Sequence, residues 1–542
     1  MPGSRHRTTL VAALLLVPIV AGGFLLQDPP VRANAHLFEQ VLSLVSRQYV
    51  DSLNNNELLA RAARGLVKEL HDPYTELFTP RESDEFARGT NGRYGGTGML
   101  LGEDDDHVIS VQRVFPSTPA DDAGVREGDR VSAIADTATA GWGLTKVSDR
   151  LRGSPGSKVT VSFMRQGVPA PIRLTFTRRE VHVPAVPYTT LVNGVGYIPL
   201  QTFNENATDE VEDAVNKLIA QGAKGLVLDL RDNGGGIVEQ ALHVGSLFLK
   251  DGQAIVTVRA RGAADEVSKT DADHVAVGVP LVVLTDGGTA SAAEIVAGAL
   301  QDHDRALVLG ATTYGKGLVQ SLYGLDGGYS LKLTTGKWYT PSGRSIHRER
   351  RVTEDGRVLE GRLEDGKIVE GARDSAETEQ SRAKRPRFKS DAGRVVYGGG
   401  GIVPDFFVRE DTTSTLRQEF LRAVAPKGQQ IQVVLQQYSG ELREQVSRGF
   451  LVPASWSVEL RRRLKTAGVN IDARFDSVAS ALLTDELARR VARRAFGESE
   501  AKRRTMRDDH ALTRAIELLQ QSRSQQDLLR IASSAAAAKP AD

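Results

Sequence analysis

The chain has 542 residues, room for about three or four domains, and an ordinary globular composition, 40% hydrophobic and 25% charged. Its formal net charge is +1, so nothing global points to nucleic acid as a partner. It has no cysteine, which excludes disulfides, thiolate metal sites and cysteine nucleophiles but leaves the redox compartment open.

Arg5 and Arg7 precede an apolar run from Thr9 to Leu26, broken by Pro18 and Gly22-Gly23. A basic flank before an apolar segment reads as a secretory signal or an uncleaved N-terminal anchor over residues 1–27, and puts the body of the protein outside the cytoplasm. Residues 35–93 are helical in pattern. One helix is expected over His36–Tyr49 and another over Glu57–Leu70, the second ended by Pro73, which pushes Asp72 out of helical conformation.

Residues 94–180 change to short strand patterns: His107–Val114, Arg130–Ile134, Val159–Arg165 and Ile172–Arg178. Between them lie Ser117-Thr118-Pro119-Ala120, Ala123-Gly124-Val125 and Gly128-Asp129, then Leu151-Arg152-Gly153 and Gly156. This arrangement resembles a PDZ domain. Ahead of it, Gly96, Thr97 and Gly98 sit in a glycine-rich turn whose backbone N–H groups can converge on a peptide's terminal carboxylate. Without the downstream motifs the turn would be an ordinary loop before a strand. The resemblance departs at Ala135-Asp136, where such domains usually turn on a glycine.

From residue 181 strands and helices alternate, which predicts an α/β core. A strand is expected over Gly194–Leu200, an amphipathic helix over Ala207–Ala220 and a buried strand over Gly225–Leu230. Arg231-Asp232-Asn233-Gly234-Gly235-Gly236 then turns the chain into a helix over Val238–Leu249. A glycine turn there can present a backbone N–H to a substrate carbonyl, or serve as a phosphate-binding turn or a plain connection.

A strand over Pro280–Thr285, a turn at Asp286-Gly287-Gly288, Ser291, and a helix to about His303 come next. A serine at a helix N-terminus has unpaired N–H groups and the positive end of the helix dipole beside it, which suits nucleophilic attack on a carbonyl. Ser291-Ala292-Ala293-Glu294 is equally a capping box. His303 is expected on another face of the helix, which leaves Lys316 as the candidate base. To act as one it must be neutral, so its pKa must fall from about 10.4 to roughly 7–8, as burial can achieve. Gln320, four residues on in an extended segment, faces the same side and can hold the amine. Taken singly, Lys316 is an ordinary surface lysine. Gly310 to Lys316 also fits the phosphate-loop pattern, but Gly317 replaces the magnesium-binding Ser or Thr, and Leu318–Tyr323 reads as a strand where a helix is required.

Ser291, Lys316 and Gln320, within Thr289-Ala290-Ser291-Ala292-Ala293-Glu294-Ile295 and Tyr314-Gly315-Lys316-Gly317-Leu318-Val319-Gln320, resemble the active site of the carboxyl-terminal processing (tail-specific) proteases. The resemblance implies a multidomain α/β fold. It has a ClpP/crotonase-like protease core over 181–348 and 391–410, the β-rich PDZ domain upstream, and helical N- and C-terminal regions. It also implies a serine endopeptidase with a Ser291–Lys316 dyad, Gln320 in support, and an oxyanion hole from Gly235, or Gly236, and Ala292. Gly234 stands where the family usually has proline, which leaves the hole less rigid by roughly 1 kcal/mol. Implied partners are polypeptides with accessible C-termini and further copies of the chain, with the membrane added if the N-terminal segment stays attached. No cofactor or metal is implied. The alternative is a non-catalytic extracytoplasmic PDZ scaffold. Residues 349–390, charged and poor in large apolar side chains, read as an exposed insertion with hairpin turns at Asp355-Gly356 and Asp365-Gly366. Residues 411–542 are helical. They form either an oligomer-building region, as the resemblance implies, or a solvated appendage.

Overall fold

A computed structural model describes the chain except for residues 1–28, 52–53, 104–106, 116, 166, 272–274, 277, 355, 365–366, 371–384, 409–414 and 538–542. The apolar run Thr9–Leu26 and the residues Asp355, Asp365 and Gly366 of the expected turns therefore lie outside the described residues. No described helix is long and apolar enough to cross a membrane. The chain divides into two units, Met1–Leu77 and Phe78–Asp542.

The first unit is a helical pair, α1 (Pro29–Gln48) and α2 (Asn55–Lys68). Ser46 at the end of α1 bonds to Asn55 at the start of α2, 2.8 Å apart. The apolar stripes expected from the spacing are present but largely exposed, Leu37 at 67% and Leu66 at 70%.

In the second unit, α3 (Pro80–Asn91) leads into β1 (Arg93–Gly96). A five-stranded antiparallel order follows, β2 (Met99–Glu103), β3 (Ile109–Val114), β4 (Arg130–Ile134), β5 (Lys158–Met164) and β6 (Ile172–Thr177), with α4 (Leu144–Leu151) against β2. Alternate residues such as Val131, Val159, Val161 and Phe163 point into one small core, as period-two patterning requires. Ala135 and Asp136 make the turn after β4 with φ of 47° and 64°, doing without the glycine that the resemblance implies. Strand β7 (Arg179–His182) pairs back on β1, so the expected limits of this domain, 94 and 180, fall within one two-stranded ribbon that joins it to the core.

The core is built on a six-stranded sheet. Its strands are β8 (Thr190–Val192), β9 (Val195–Pro199), β10 (Gly225–Asp229), then β13 (Leu281–Thr285), β14 (Leu307–Gly310) and β22 (Phe406–Phe407). All pair in parallel except β8 with β9. The crossovers are α5 (Ala207–Ala220), α6 (Val238–Ser246) and α7 (Ala292–Asp302), which cover one face over Ile198, Leu226, Leu228, Leu281 and Val283. A second antiparallel sheet holds β11 (Ala254–Ala260), β12 (Glu266–Lys269), β15 (Leu318–Gly324) and β16 (Ser330–Tyr339). The insertion forms a three-stranded sheet, β17 (Glu349–Val352), β18 (Val358–Glu364) and β19 (Lys367–Glu370), followed by a hairpin of β20 (Arg387–Lys389) and β21 (Val395–Tyr397).

The C-terminal region differs from the solvated appendage. Helices α8 (Thr415–Val424), α9 (Gly428–Leu442), α10 (Ala454–Thr466) and α11 (Asp476–Phe496) share their own apolar core. After α12 (Glu498–Thr505), α13 (His510–Gln521) and α14 (Gln525–Ala537) lie on the opposite face of the main sheet. Leu512, Leu518, Leu519 and Leu528 bury Val195, Val227, Val282 and Leu307, the alternate residues of strands whose other side faces α5–α7. A parallel sheet needs both faces covered, and these helices supply the second cover. The region also reaches the β2–β6 domain, through Arg113 to Glu498 at 2.6 Å and Arg494 to Glu127 at 3.4 Å.

Candidate active site

Parallel pairing aligns the C-terminal ends of β10, β13 and β14, where ligands of open α/β sheets gather. Three loops leave from there: Arg231–Gly236, Asp286–Ala290 and Ala311–Gly317. Each is tied to the next. Ala290 N–H bonds to Asn233 O at 2.9 Å, and the Thr289 hydroxyl donates to Leu230 O at 2.8 Å. Tyr314 N–H bonds to Thr289 O at 2.9 Å, and Ala311 N–H to Thr285 O at 2.9 Å.

Ser291 occupies the sharp turn between β13 and α7 with φ 57° and ψ −119°. A non-glycine residue held there stores about 1–3 kcal/mol of strain, which persists only where the surroundings enforce it. The next N–H, of Ala292, makes no hydrogen bond among the described residues. It stands at the N-terminus of α7, the place expected for an oxyanion donor.

Glu294 is what enforces the turn. It is fully buried in α7, and its carboxylate accepts four hydrogen bonds. Oε2 receives Ser291 N–H and Lys316 N–H, both at 2.8 Å. Oε1 receives Gly315 N–H at 2.7 Å and the Thr313 hydroxyl. Burial pushes the Glu294 carboxyl up from its ordinary range, and the four donors oppose that rise. The sequence offers this residue as the second half of a capping box. That box is present, and the same carboxylate goes beyond it to hold the Lys316 loop. A glutamate among alanines on a fully apolar helix face was the available signal.

Lys316 and Ser291 are both half-buried, and their backbone nitrogens are separated by no more than about twice a hydrogen-bond length. Gln320 lies in β15, half-buried, and its Nε2 is enclosed with no hydrogen-bond partner among the described residues. His303 ends α7 at the far side and bonds to Asp391 and Ala254 O, away from the serine as expected.

The glycine turn lies against the serine. Gly235 has φ +98°, and a Cβ there would meet Ser291 Cβ, Ala290 O and Ala292 N, each at 2.9 Å. Its own N–H is occupied, donating to Asn233 Oδ1 at 2.9 Å, while Asn233 Nδ2 donates to Leu200 O at 2.7 Å. The N–H of Gly236 makes no hydrogen bond among the described residues. As the loop stands, the Gly236 N–H is unpaired among the described residues, while the Gly235 N–H is taken by the Asn233 side chain.

Arg231 anchors the start of that turn. It forms a two-pronged pair with Asp509 at 2.9 and 2.8 Å and contacts Asp229 at 2.9 and 2.6 Å. Asp509 caps α13 through Leu512 N–H and also receives Lys502. Burial alone would raise the Asp509 carboxyl, but Arg231 and Lys502 outweigh it and hold the group well below the usual carboxylate range. Nothing in the spacing of 231 and 509 could have revealed this pair.

In the β2–β6 domain, Gly96 ends β1, and Thr97 and Gly98 connect it to β2. Gly98 has φ +86°, and a Cβ there would strike the Thr118 side chain at 2.2 Å. Thr97 is buried, and its carbonyl accepts Ala120 N–H at 2.8 Å. The turn is thus fixed from behind by the segment Thr118-Pro119-Ala120.

Comparison with known proteins gives the family. The profile of Peptidase family S41 matches residues 194–358, and that of the PDZ domain matches 111–165. The carboxy-terminal processing protease CtpA of Bacillus subtilis (strain 168) is 31% identical over 345 residues, 63% of this chain and 73% of its own length. The carboxy-terminal-processing protease of Bartonella bacilliformis is 36% identical over 315 residues, 57% of this chain and 71% of its own. Among solved structures, a photosystem II D1 C-terminal processing protease is 31% identical, covering 58% of this chain and 90% of that one at a TM-score of 0.34.

Proposed function

Since the chain belongs to the carboxy-terminal processing proteases of peptidase family S41 and is a serine peptidase, we propose that it cuts peptide bonds with Ser291 as nucleophile and Lys316 as general base. Ser291 Oγ attacks the scissile carbonyl carbon while its proton passes to the neutral Lys316 amine. The carbonyl oxygen becomes an oxyanion held by Ala292 N–H and by a glycine N–H of the 234–236 turn. One such donor is worth about 3 kcal/mol in the transition state. The C–N bond then breaks, and Lys316 gives the proton to the leaving amine. Water, deprotonated by the same amine, releases the acyl group from Ser291 by the reverse sequence. Gln320 orients Lys316 by accepting an amine N–H at its side-chain carbonyl oxygen, which leaves the lone pair free for the serine proton.

The observation that carries this reading is the shared carboxylate of Glu294, which fixes the backbone of nucleophile and base together. Unstructured β-casein tests it. Wild type cleaves, while Ser291→Ala and Lys316→Ala each abolish cleavage and leave peptide binding by the PDZ domain intact. Near-normal rates in Lys316→Ala would mean that the base is another group.

The substrates are polypeptides captured by their C-terminal carboxylate on the Gly96–Gly98 turn and extended along β2. The basic and apolar start, Arg5 to Leu26, supports work outside the cytoplasm, with the segment as signal or membrane anchor. The exposed apolar stripes of α1 and α2 support assembly of several copies, which sedimentation of the full chain would measure.

A further inference from the structure

We propose that Arg350, braced by Glu360, is a positioning residue for Lys316, so that the insertion after β16 is part of the catalytic apparatus. This rests on Lys316 being the base. The sequence reads residues 349–390 as exposed, yet Arg350 is only 6% exposed. Its guanidinium donates to Tyr314 O at 2.7 Å and Gly315 O at 3.1 Å, and lies 3.7 Å from the centre of the Tyr314 ring. Gly315 O receives a second donor, Arg348 N–H, at 3.0 Å.

The loop before Lys316 is therefore gripped from two sides by opposite charges. Its N–H groups, on Gly315 and Lys316, go to the Glu294 carboxylate. Its carbonyls, on Tyr314 and Gly315, go to the Arg350 guanidinium. A loop held only at Glu294 can pivot about that contact. With both edges of the Gly315 unit fixed, the Cα of Lys316 cannot swing. A misplacement of about 1 Å can cost a catalytic group on the order of a hundredfold in rate.

Glu360 sets the guanidinium. It is directly opposite Arg350 in the β17–β18 pairing. Its oxygens take Arg348 Nη1 at 2.7 Å and Arg350 Nε at 3.2 Å, and Arg348 also donates to Gly400 O at 3.0 Å. Burial would raise the Glu360 carboxyl, but the two arginines outweigh it and lower it. Gly401 closes the circuit, since a Cβ there would meet Thr313 O at 2.3 Å, on the same loop.

A merely structural arginine would glue the insertion to the core without affecting the amine. The two roles separate in Glu360→Gln, Arg350→Lys and Arg350→Gln of the full chain, assayed on a short quenched-fluorescence peptide across pH. Amide exchange of residues 311–320 and thermal unfolding are followed alongside. Arg350→Gln is expected to lower kcat on the order of tenfold to a hundredfold with KM within about twofold, and Arg350→Lys to recover part of it. Exchange at Gly315 and Lys316 should accelerate. In Glu360→Gln the acid limb of kcat should move up in pH, because a loosened Lys316 is better hydrated and harder to deprotonate. Loss of the Glu360 charge by itself would move it down. A limb that stays or falls in Glu360→Gln, or unchanged exchange at Gly315 in Arg350→Gln, overturns the brace. Should Arg350→Gln fail to fold, the Glu360→Gln limb decides alone. Undiminished activity in Lys316→Ala would instead sink the base assignment, a separate result.

Discussion

Ser291 and Lys316 donate their backbone N–H groups to the same oxygen, Glu294 Oε2, each at 2.8 Å. The proposed dyad is thereby registered through its backbone. The side chains need only reach across a distance that the carboxylate has already set. Glu294→Gln puts an NH2 among four donors, and Glu294→Ala leaves all four unsatisfied. Hydrogen bonds to a charged group are worth about 1.5–3 kcal/mol each, so losing the two on Oε2 should cut kcat by at least about a hundredfold. Initial rates on a short peptide, with thermal unfolding as control, check this. Rates within twofold of wild type in Glu294→Gln would remove Glu294 from the argument.

Gly235 is predicted to tolerate nothing larger. Its φ of +98° disfavours side chains, and a Cβ would come within 2.9 Å of Ser291 Cβ, Ala290 O and Ala292 N. None of these can retreat, since the turn bears on the proposed nucleophile and on the helix N-terminus. Gly235→Ala should abolish cleavage of β-casein while peptide binding by the PDZ domain stays unchanged.

The Arg231–Asp509 pair gives a pH-dependent prediction. The Asp509 carboxyl is held below its ordinary 3.8 when folded. A depressed carboxylate contributes stability that is complete above its unfolded value and is lost as pH falls through its folded one. The contribution should therefore be full at neutral pH and fade only below about pH 4. Asp509→Asn should lower stability by about 1–3 kcal/mol at pH 7 and flatten the acid end of the stability profile. Chemical unfolding from pH 2 to 7 measures both. Because Arg231 opens the glycine turn, kcat should fall as well.

Gly98 tests tail capture. Any side chain there collides with Thr118 and must displace the turn proposed to face the incoming carboxylate. Gly98→Val should weaken binding of a peptide with a free C-terminus to the level of the amidated peptide, while cleavage of short peptides that do not use the PDZ domain is unaffected. Calorimetry with the two peptides gives the comparison.

Much of this was legible in the residues. The expected helix over Ala207–Ala220 is observed with those limits, and the buried strands expected over Gly225–Leu230 and Pro280–Thr285 are observed over Gly225–Asp229 and Leu281–Thr285. Local patterning carries such elements because their partners are the sheet itself. The C-terminal helices were legible as helices only. Their role as cover depends on which sheet face is left bare, a property of topology that no short window contains. Arg350 and Glu360 fall in an insertion that its composition presents as exposed, and Asp509 in a helical region whose patterning singles out no charge, for a related reason. A charge becomes a structural contact through a partner distant in sequence, and composition shows only the charge. At Glu294 the local signal was present and pointed to a cap, because the Lys316 loop that completes its contacts lies twenty residues on.

The most direct test of the account is the pH dependence of kcat for wild type and Lys316→Ala on one short peptide. Wild type should rise along an acid limb with an apparent pKa between about 7 and 8, reporting a lysine that must be neutral to accept the serine proton. Lys316→Ala should fall by at least about a thousandfold and lose that limb. A Lys316→Ala enzyme that keeps the limb and a rate near that of wild type would contradict the account.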